Sequence, residues 1–187
     1  LWQIQHELPD AQLIAGSTDV GLWVNKSHAR FNGVIDLGKV QALRHIEKDA
    51  RTLKIGAGVT LAQSIAPLSA LASDLGRLLH RLGSRQVRAQ ATVGGNIANG
   101  SPIGDLAPAL IALAASVHLV SANGERIGAI TSEWDASPSP GKTLRVYQKQ
   151  IIFVINGISQ RSLRDVQPRS LRDRRPAVRR GQRPRNQ

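Results

Sequence analysis

The sequence predicts an α+β fold, and three features of the chain carry that prediction. A short apolar run at residues 11–15 is followed by a Gly-Ser-Thr-Asp turn and then by apolar residues at helical spacing. Between residues 61 and 82, Leu and Ile recur at steps of three and four, which is typical of helices. Two β-like segments flank Asn123 and Gly124, the strongest short turn signal in the chain. Helices are therefore expected beside both parallel and antiparallel strands.

The composition is that of a globular protein with an aliphatic core. Of the 187 residues, 41% are hydrophobic but only 3% are aromatic, and the length suits one domain or two small lobes. The chain has no cysteine, which excludes disulfides, thiolate zinc sites and cysteine-held iron–sulfur clusters on this chain. The sequence has no apolar run of about 18 residues and no signal peptide, so we expect a cytoplasmic protein without a membrane partner.

The net charge of +12 is concentrated at the C-terminal end. Residues 157–187 hold ten Arg and two Asp and carry +8, whereas residues 1–156 carry 15 Lys and Arg against 11 Asp and Glu, or +4. Because the end segment is highly charged and poor in large apolar residues, it is predicted to be a disordered, Arg-rich tail. Such a tail binds nucleic acid non-specifically through charge, but it lacks aromatic residues for base stacking.

The first half of the chain alternates helical and strand signals. In order, the patterns predict a helix that ends before Pro9, a strand at 11–15, a helix from Val20, a strand at 33–37, and a hairpin from 43–47 and 52–57. The first strand, the helix from Val20 and the second strand make a small βαβ unit plausible.

The second half begins with two helical segments at residues 61–82. Thr60 is a possible cap for the first, and Pro67 should begin a new segment, because proline breaks a helix interior. Gly83 stands where a C-terminal cap is expected.

Further on, a helix is predicted at 106–115, with Asp105 as a possible cap, and a hairpin at 117–120 and 126–130. Residues 131–156 lack periodicity and are predicted to be irregular, apart from an isolated β-like run at 150–155.

Two polar, glycine-containing stretches are candidates for ligand binding. In the first, Gly16-Ser17-Thr18-Asp19 lies between a strand and a helix start, an arrangement that offers free helix N–H groups to a phosphate. Ordinary N-capping by Ser, Thr or Asp is the alternative interpretation.

The second stretch, residues 84–109, is the most distinctive in the chain. Gly94 and Gly95 allow close backbone approach, and successive N–H groups in such a turn form an anion-binding concavity. The nearby short polar side chains suit a ligand that carries sugar and phosphate. The alternative is a loop that only turns the chain.

Other site patterns are excluded. Residues 140–143, Pro-Gly-Lys-Thr, do not form a P-loop, because Ala136 stands where that motif needs glycine. The five His are scattered without a pair at ligand spacing, so no metal site is expected. No Ser, His and acid arrangement of a hydrolase is recognisable, and we assign no catalytic residue.

The two glycine-containing stretches together resemble a known family. LIAGSTDVG at residues 13–21 and TVGGNIANGSPIGDLAPAL at 92–110, with GSRQVR leading the second, resemble the FAD-binding domain of the molybdenum hydroxylases. Within that family the sequence is similar to the flavin-carrying subunit of bacterial xanthine dehydrogenase. The resemblance runs from residue 1 to about Gly128.

The resemblance implies a two-lobed, CO dehydrogenase flavoprotein-like FAD-binding domain of type 2. Its lobes would be a small βαβ lobe at residues 1–58 and a helix-and-antiparallel-sheet lobe at 59–130, the latter incomplete. It also implies which residues hold FAD. Those of the first loop follow the diphosphate and flavin: Leu13, Ile14, Ala15, Gly16, Ser17, Thr18, Asp19 and Val20. Those of the second hold the rest of the cofactor: Thr92, Gly94, Gly95, Asn96, Asn99 and Asp105.

The reaction implied by the resemblance is electron transfer from iron–sulfur clusters to FAD, and then as hydride to NAD. A molybdenum-cofactor subunit that oxidises a purine and an iron–sulfur domain would be the partners. The sequence after about residue 128 departs from the family, which motivates the hypothesis of a change of reading frame at or after Arg126. The alternative functions are a nucleic-acid-associating protein with an Arg-rich tail and a non-functional fragment.

Overall fold

A computed structural model describes residues 1–50, 52–100, 104–121 and 124–130. The predicted irregular segment 131–156, the predicted disordered tail 157–187 and the turn residue Asn123 lie outside these described residues. None of the helices in the described ranges is long and apolar enough to cross a membrane.

The described residues form short helices and short strands. The helices are α1 Trp2–Glu7, α2 Val20–Ser27, α3 Leu61–Ser69, α4 Ser73–Arg81, α5 Arg85–Gln90, α6 Val93–Asn99 and α7 Leu106–Ala112. The strands are β1 Gln12–Ile14, β2 Val34–Asp36, β3 Ile46–Lys48, β4 Leu53–Ile55, β5 Ser116–Ser121 and β6 Gly124–Ala129. Two single 3₁₀ turns, Leu37–Lys39 and Gln41–Leu43, follow β2. This mixture is the α+β class that the sequence predicts.

The strands pair in three two-stranded sheets. β1 and β2 are parallel, with Leu13 opposite Ile35, and α2 connects them, so the predicted βαβ unit is confirmed. β3 pairs with β4 and β5 pairs with β6, both antiparallel, as the two hairpin predictions require. In the second hairpin, Ser116 lies opposite Ala129.

One buried apolar cluster joins the described elements. It extends from Ile35 to Ile130 and is almost entirely aliphatic, in keeping with the low aromatic content. Leu53, Ile55 and Val59 are fully buried in it. The cluster crosses the predicted lobe boundary between residues 58 and 59, and the division into lobes stays a prediction.

At α3, the predicted cap at Thr60 is confirmed, whereas the predicted break at Pro67 is wrong. Thr60 forms a complete capping box, in which its Oγ1 accepts from the Gln63 N–H at 3.2 Å and the Gln63 Oε1 accepts from the Thr60 N–H at 3.0 Å. The prediction for Pro67 is wrong, because Pro67 lies inside α3 near its end. Burial of Leu68 one residue later outweighs the hydrogen bond that proline cannot donate. Gly83 follows α4 with φ +66°, as expected of a C-terminal glycine.

Most of the described part of the glycine-rich stretch is helical rather than a loop. Arg85–Gln90 and Val93–Asn99 form two helices, and Gly94 and Gly95 lie in the first turn of the second. The low helix propensity of glycine is overcome by burial of Val93 and Ile97 and by a cap from Thr92.

The helix that begins at the end of this stretch, α7, is shorter than predicted. α7 ends at Ala112 instead of residue 115, and Ala114 adopts φ +50° before β5. Asp105 stands at the N-cap position, but its side chain makes no capping hydrogen bond, so the expectation of a cap there is wrong.

Candidate functional site

A crevice of about 380 Å³ lies between the loop after β1 and the start of α6. This volume falls within the range of small-molecule sites, roughly 300–1,000 Å³. Twelve of the predicted site residues line it: Leu13, Ile14, Ala15, Ser17, Thr18, Asp19, Val20, Thr92, Gly94, Gly95, Asn96 and Asn99. The remaining two, Gly16 and Asp105, are not among its lining residues, and Asp105 is exposed. The fold therefore brings together two stretches that are about 75 residues apart in the sequence.

The loop after β1 forms the first wall of the crevice, and the segment from the end of α5 to the start of α6 forms the second. The backbones of the two walls lie close together. Gly16 has φ +70°, and a Cβ there would overlap the backbone carbonyl of Gln90 at the end of α5. A Cβ on Gly95 would stand 3.6 Å from the carbonyl oxygen of Ala15. Gly16 therefore supports the crevice by allowing the first loop to pack against the second wall.

The first loop, residues 16–20, offers unused backbone donors. Within the described part of the chain, none of the backbone amides of residues 16–20 donates a hydrogen bond. The next amide, that of Gly21, donates to the backbone carbonyl oxygen of Ser17 at 2.9 Å. Ser17 adopts φ +58°, an unusual conformation for a non-glycine residue that often marks functional sites. Successive free N–H groups before a helix are the arrangement that binds a phosphate.

Asp19 is a partly buried lining residue of the crevice. It precedes α2 at the N-cap position, yet its side chain makes no capping hydrogen bond. The alternative of ordinary capping in this loop is therefore wrong for Asp19, and Ser17 and Thr18 do not stand at the cap position. Burial raises the pKa of the Asp19 carboxyl above its ordinary value of 3.8.

At the start of α6, the second wall of the crevice differs from the sequence prediction in the hydrogen bonding of its backbone amides. The N–H of Val93 donates to Val59 and that of Gly94 to Ala57, both at 2.9 Å, and the N–H of Gly95 donates to Thr92 Oγ1 at 3.0 Å. The anion-binding concavity predicted at Gly94 and Gly95 is therefore wrong, because these amides already have partners in the protein.

Gly94 is required for packing against the chain after β4. A Cβ on Gly94 would lie 2.6 Å from the Cβ of Ala57 and 2.8 Å from its oxygen. No side chain fits there without displacing backbone, so this glycine fixes the distance between α6 and residue 57.

Asn96 supplies the polar group of the second wall. Its Oδ1 is buried and, within the described residues, has no hydrogen-bond partner. An orphaned buried acceptor is uncommon in folded proteins and calls for a donor from a ligand or water. Asn99, one turn further along α6, lines the crevice but is exposed.

Apolar side chains that the sequence interpretation did not single out complete the walls. Leu22 and Trp23 come from α2, Leu37 and Leu43 from the two 3₁₀ turns, and Val87 from α5. The helical spacing of Val20 and Trp23 could have identified Trp23, because residues three apart share a helix face. The two leucines depend on tertiary packing and have no comparable local signal.

Residues 1–145 match the family described as the FAD binding domain in molybdopterin dehydrogenase. This chain belongs to that family. FAD is the cofactor of the family, and the chain is an FAD-binding domain of xanthine dehydrogenase-like type. The match extends past Gly128, where the resemblance found in the sequence ends, to residue 145. The hypothesis of a changed reading frame at or after Arg126 stays a hypothesis.

Among curated relatives, xanthine dehydrogenase of Drosophila pseudoobscura pseudoobscura is 30% identical over 66% of this chain and 10% of that protein. The nicotinate dehydrogenase FAD-subunit of Eubacterium barkeri is 32% identical over 69% of this chain and 44% of that protein. A solved carbon monoxide dehydrogenase from Hydrogenophaga pseudoflava superposes with a TM-score of 0.68 at 25% identity, covering 84% of this chain and 54% of that one. The chain thus spans about a tenth to half of these proteins, and its fold is that of the CO dehydrogenase FAD domains.

The donor set of the crevice fits FAD. The free amides of residues 16–20 match the acceptor oxygens of a diphosphate, and the orphaned Asn96 Oδ1 matches a hydroxyl or ring N–H donor. The apolar walls suit ring surfaces.

Proposed function

We propose that this chain holds FAD in the crevice and serves as the flavin relay of a molybdenum hydroxylase. Electrons would arrive from iron–sulfur clusters on a partner domain and leave as hydride to NAD. The observation that carries the proposal is the row of free amides at residues 16–20 beside the orphaned Asn96 oxygen.

The two walls of the crevice bind different parts of FAD. The amides of residues 16–20 hold the diphosphate, because they are the free donors of the site. Asn96 accepts a hydrogen bond from the sugar or flavin portion through Oδ1. Thr92, Gly94 and Gly95 act indirectly, since they set the start of α6 and the width of the crevice.

The chemistry of electron relay is supplied by FAD when it is bound, as it accepts and donates electrons and hydride. The residues of the chain bind and orient it. Leu22, Trp23 and the leucines of the opposite wall exclude water from the ring surfaces. No side chain has to act as an acid, base or nucleophile in this role.

The partners follow from the kinship with larger enzymes. One relative is named an FAD-subunit, which supports a separate flavin-carrying chain beside other subunits. This chain has no cysteine, so cysteine-held iron–sulfur clusters must come from a partner domain. A molybdenum-cofactor subunit is the proposed source of electrons, and its substrate class is a purine by analogy with xanthine dehydrogenase.

A visible spectrum of the purified full chain after incubation with FAD and gel filtration tests the proposal. We expect a retained flavin band with one FAD per chain, and a large loss of retention in Gly16→Val, whose side chain would separate the two walls. Gly21→Ala, next to the same loop with nothing within 4 Å of an added Cβ, is the matched control. A colourless chain that shifts on nucleic acid in a salt-dependent way would favour the Arg-rich alternative instead.

A further inference from the structure

The segment that runs from α4 into α5 contributes to the crevice and is rich in arginine without nearby acidic residues in sequence. Residues 75–104 contain four Arg and no Asp or Glu. Leu82, Gly83 and Val87 of this segment line the crevice. Arg81 directly precedes Leu82 in the chain, and Arg85 lies two residues after Gly83 and two before Val87.

The four arginines have different surroundings. Arg77 pairs with Asp74 at 3.3 Å. Arg88 donates through Nη1 to the Gly83 oxygen at 2.6 Å and the Leu82 oxygen at 3.3 Å, so it is held against the end of α4. Arg81 and Arg85 are exposed, and neither has a carboxylate within 4.0 Å among the residues that the structure describes. We call these two the rim arginines.

The remaining lining of the crevice carries little opposing charge. Asp19 is the acidic residue among its lining residues. Positive charge at the edge of an apolar-walled cleft focuses the electric field and raises the local concentration of anions. The donors that would hold a diphosphate are the amides of residues 16–20, which belong to the opposite wall.

We propose that the rim arginines steer the anionic diphosphate of FAD into the crevice, while the amides of residues 16–20 hold it there. This inference rests on the proposed function. Because steering acts before contact, it speeds association and leaves dissociation nearly unchanged. Because the rim arginines are exposed, the effect is screened by salt.

The test is stopped-flow flavin fluorescence with the full apo chain, mixed with FAD at a series of NaCl concentrations. For the double variant Arg81→Glu/Arg85→Glu we expect the FAD association rate to fall about tenfold at low salt. The difference from wild type should disappear near 0.5 M NaCl, where the Debye length is only a few ångströms. The rate for riboflavin, which has no phosphate, should be the same in all variants.

The matched control is Lys48→Glu/Arg126→Glu, which makes the same change in net charge at exposed positions on β3 and β6 that do not line the crevice. It should slow FAD association less than twofold. An equal loss in the control, a loss that persists at high salt, or an equal loss for riboflavin would overturn steering and leave FAD binding intact. A wild-type chain that takes up no FAD would overturn the proposed function itself, and steering with it.

Discussion

Asn96 is the residue whose geometry most directly calls for a ligand. Its Oδ1 is buried without a partner in the described part of the chain, and an unsatisfied buried group costs on the order of 1–3 kcal/mol. The folded chain therefore bears a cost at a point where a bound cofactor would recover a hydrogen bond.

Replacing Asn96 by Ala should weaken FAD binding without destabilising the apo chain. We expect FAD affinity to fall by up to about tenfold, the equivalent of a hydrogen bond of roughly 0.5–1.5 kcal/mol. Fluorescence titration with FAD measures the affinity, and thermal unfolding of the apo form measures stability. Asn99→Ala, an exposed change on the same helix, is the control and should lower affinity less. Unfolding at a clearly lower temperature with normal FAD affinity would make Asn96 a structural residue.

Asp19 gives the apo chain a specific pH dependence. Burial raises the pKa of its carboxyl above 3.8 in the folded chain. At a pH between 3.8 and this raised pKa, the folded chain keeps a proton that the unfolded chain has released. Stability therefore decreases as the pH rises through this window, and the penalty persists at neutral pH.

Asp19→Asn should accordingly raise the melting temperature of the apo chain at pH 7, and the gain should vanish as the pH falls below 3.8. Thermal unfolding of both proteins across the pH range measures this difference. Asp105→Asn, at an exposed position before α7, should change the melting temperature little. A gain for Asp19→Asn that is the same at pH 3 and pH 7 would show that ionisation of Asp19 is not its cause.

Caps illustrate how much the sequence can predict about single residues. The prediction of a cap at Thr60 is confirmed. A capping box is a local feature, because its two partners are three residues apart in the sequence. Asp19 and Asp105 also stand at N-cap positions, but neither makes the capping bond. The partial burial of Asp19, which raises the pKa of its carboxyl, is set by tertiary structure and has no local sequence signal.

At the scale of elements, the first turn of α6 separates two glycine roles that look alike in sequence. Gly94 packs against the backbone of Ala57, which cannot move without disturbing the chain after β4. Gly95 would bring a Cβ to 2.8 Å from Thr92 Oγ1, its own cap, and toward the Ala15 oxygen across the crevice. Gly94 therefore fixes the packing of α6 against residue 57, and we propose that Gly95 sets the width of the crevice.

Gly94→Ala should lower the melting temperature of the apo chain substantially, with overpacking costs of about 1–3 kcal/mol. Gly95→Ala should cost less stability but proportionally more FAD affinity, because it narrows the crevice. Melting temperature and FAD titration of both variants separate these effects. If Gly95→Ala unfolds the apo chain as strongly as Gly94→Ala while its remaining folded fraction binds FAD normally, Gly95 belongs to the fold alone.

Element predictions succeed here where the signal is local and fail where packing decides. The hairpin of β5 and β6 follows from alternation and a turn signal. The helices α5 and α6 are missed, because glycine and short polar residues favour loops unless buried neighbours hold them. Both stretches meet in one crevice, although the free backbone amides lie on the first stretch rather than the second. That these residues bind FAD stays a prediction.

At the scale of the whole molecule, the chain spans only part of its relatives, about a tenth of a fly xanthine dehydrogenase. The proposed relay therefore needs groups that this chain does not carry, including cysteine-held clusters. Purine oxidation and flavin-dependent hydride exchange should be separable, because the proposed function assigns them to different parts of a larger enzyme.

The FAD-loaded full chain should oxidise NADH slowly with ferricyanide as an artificial acceptor, and it should not oxidise purines. NADH consumption at 340 nm and purine oxidation by chromatography measure the two reactions. The Gly16→Val variant, which should retain little FAD, is the control, and its NADH oxidation should fall in proportion to its flavin content. Ferricyanide reduction that is independent of flavin content would remove the relay from this chain. Robust purine oxidation by the chain alone would place the substrate chemistry here and contradict the proposed division of labour.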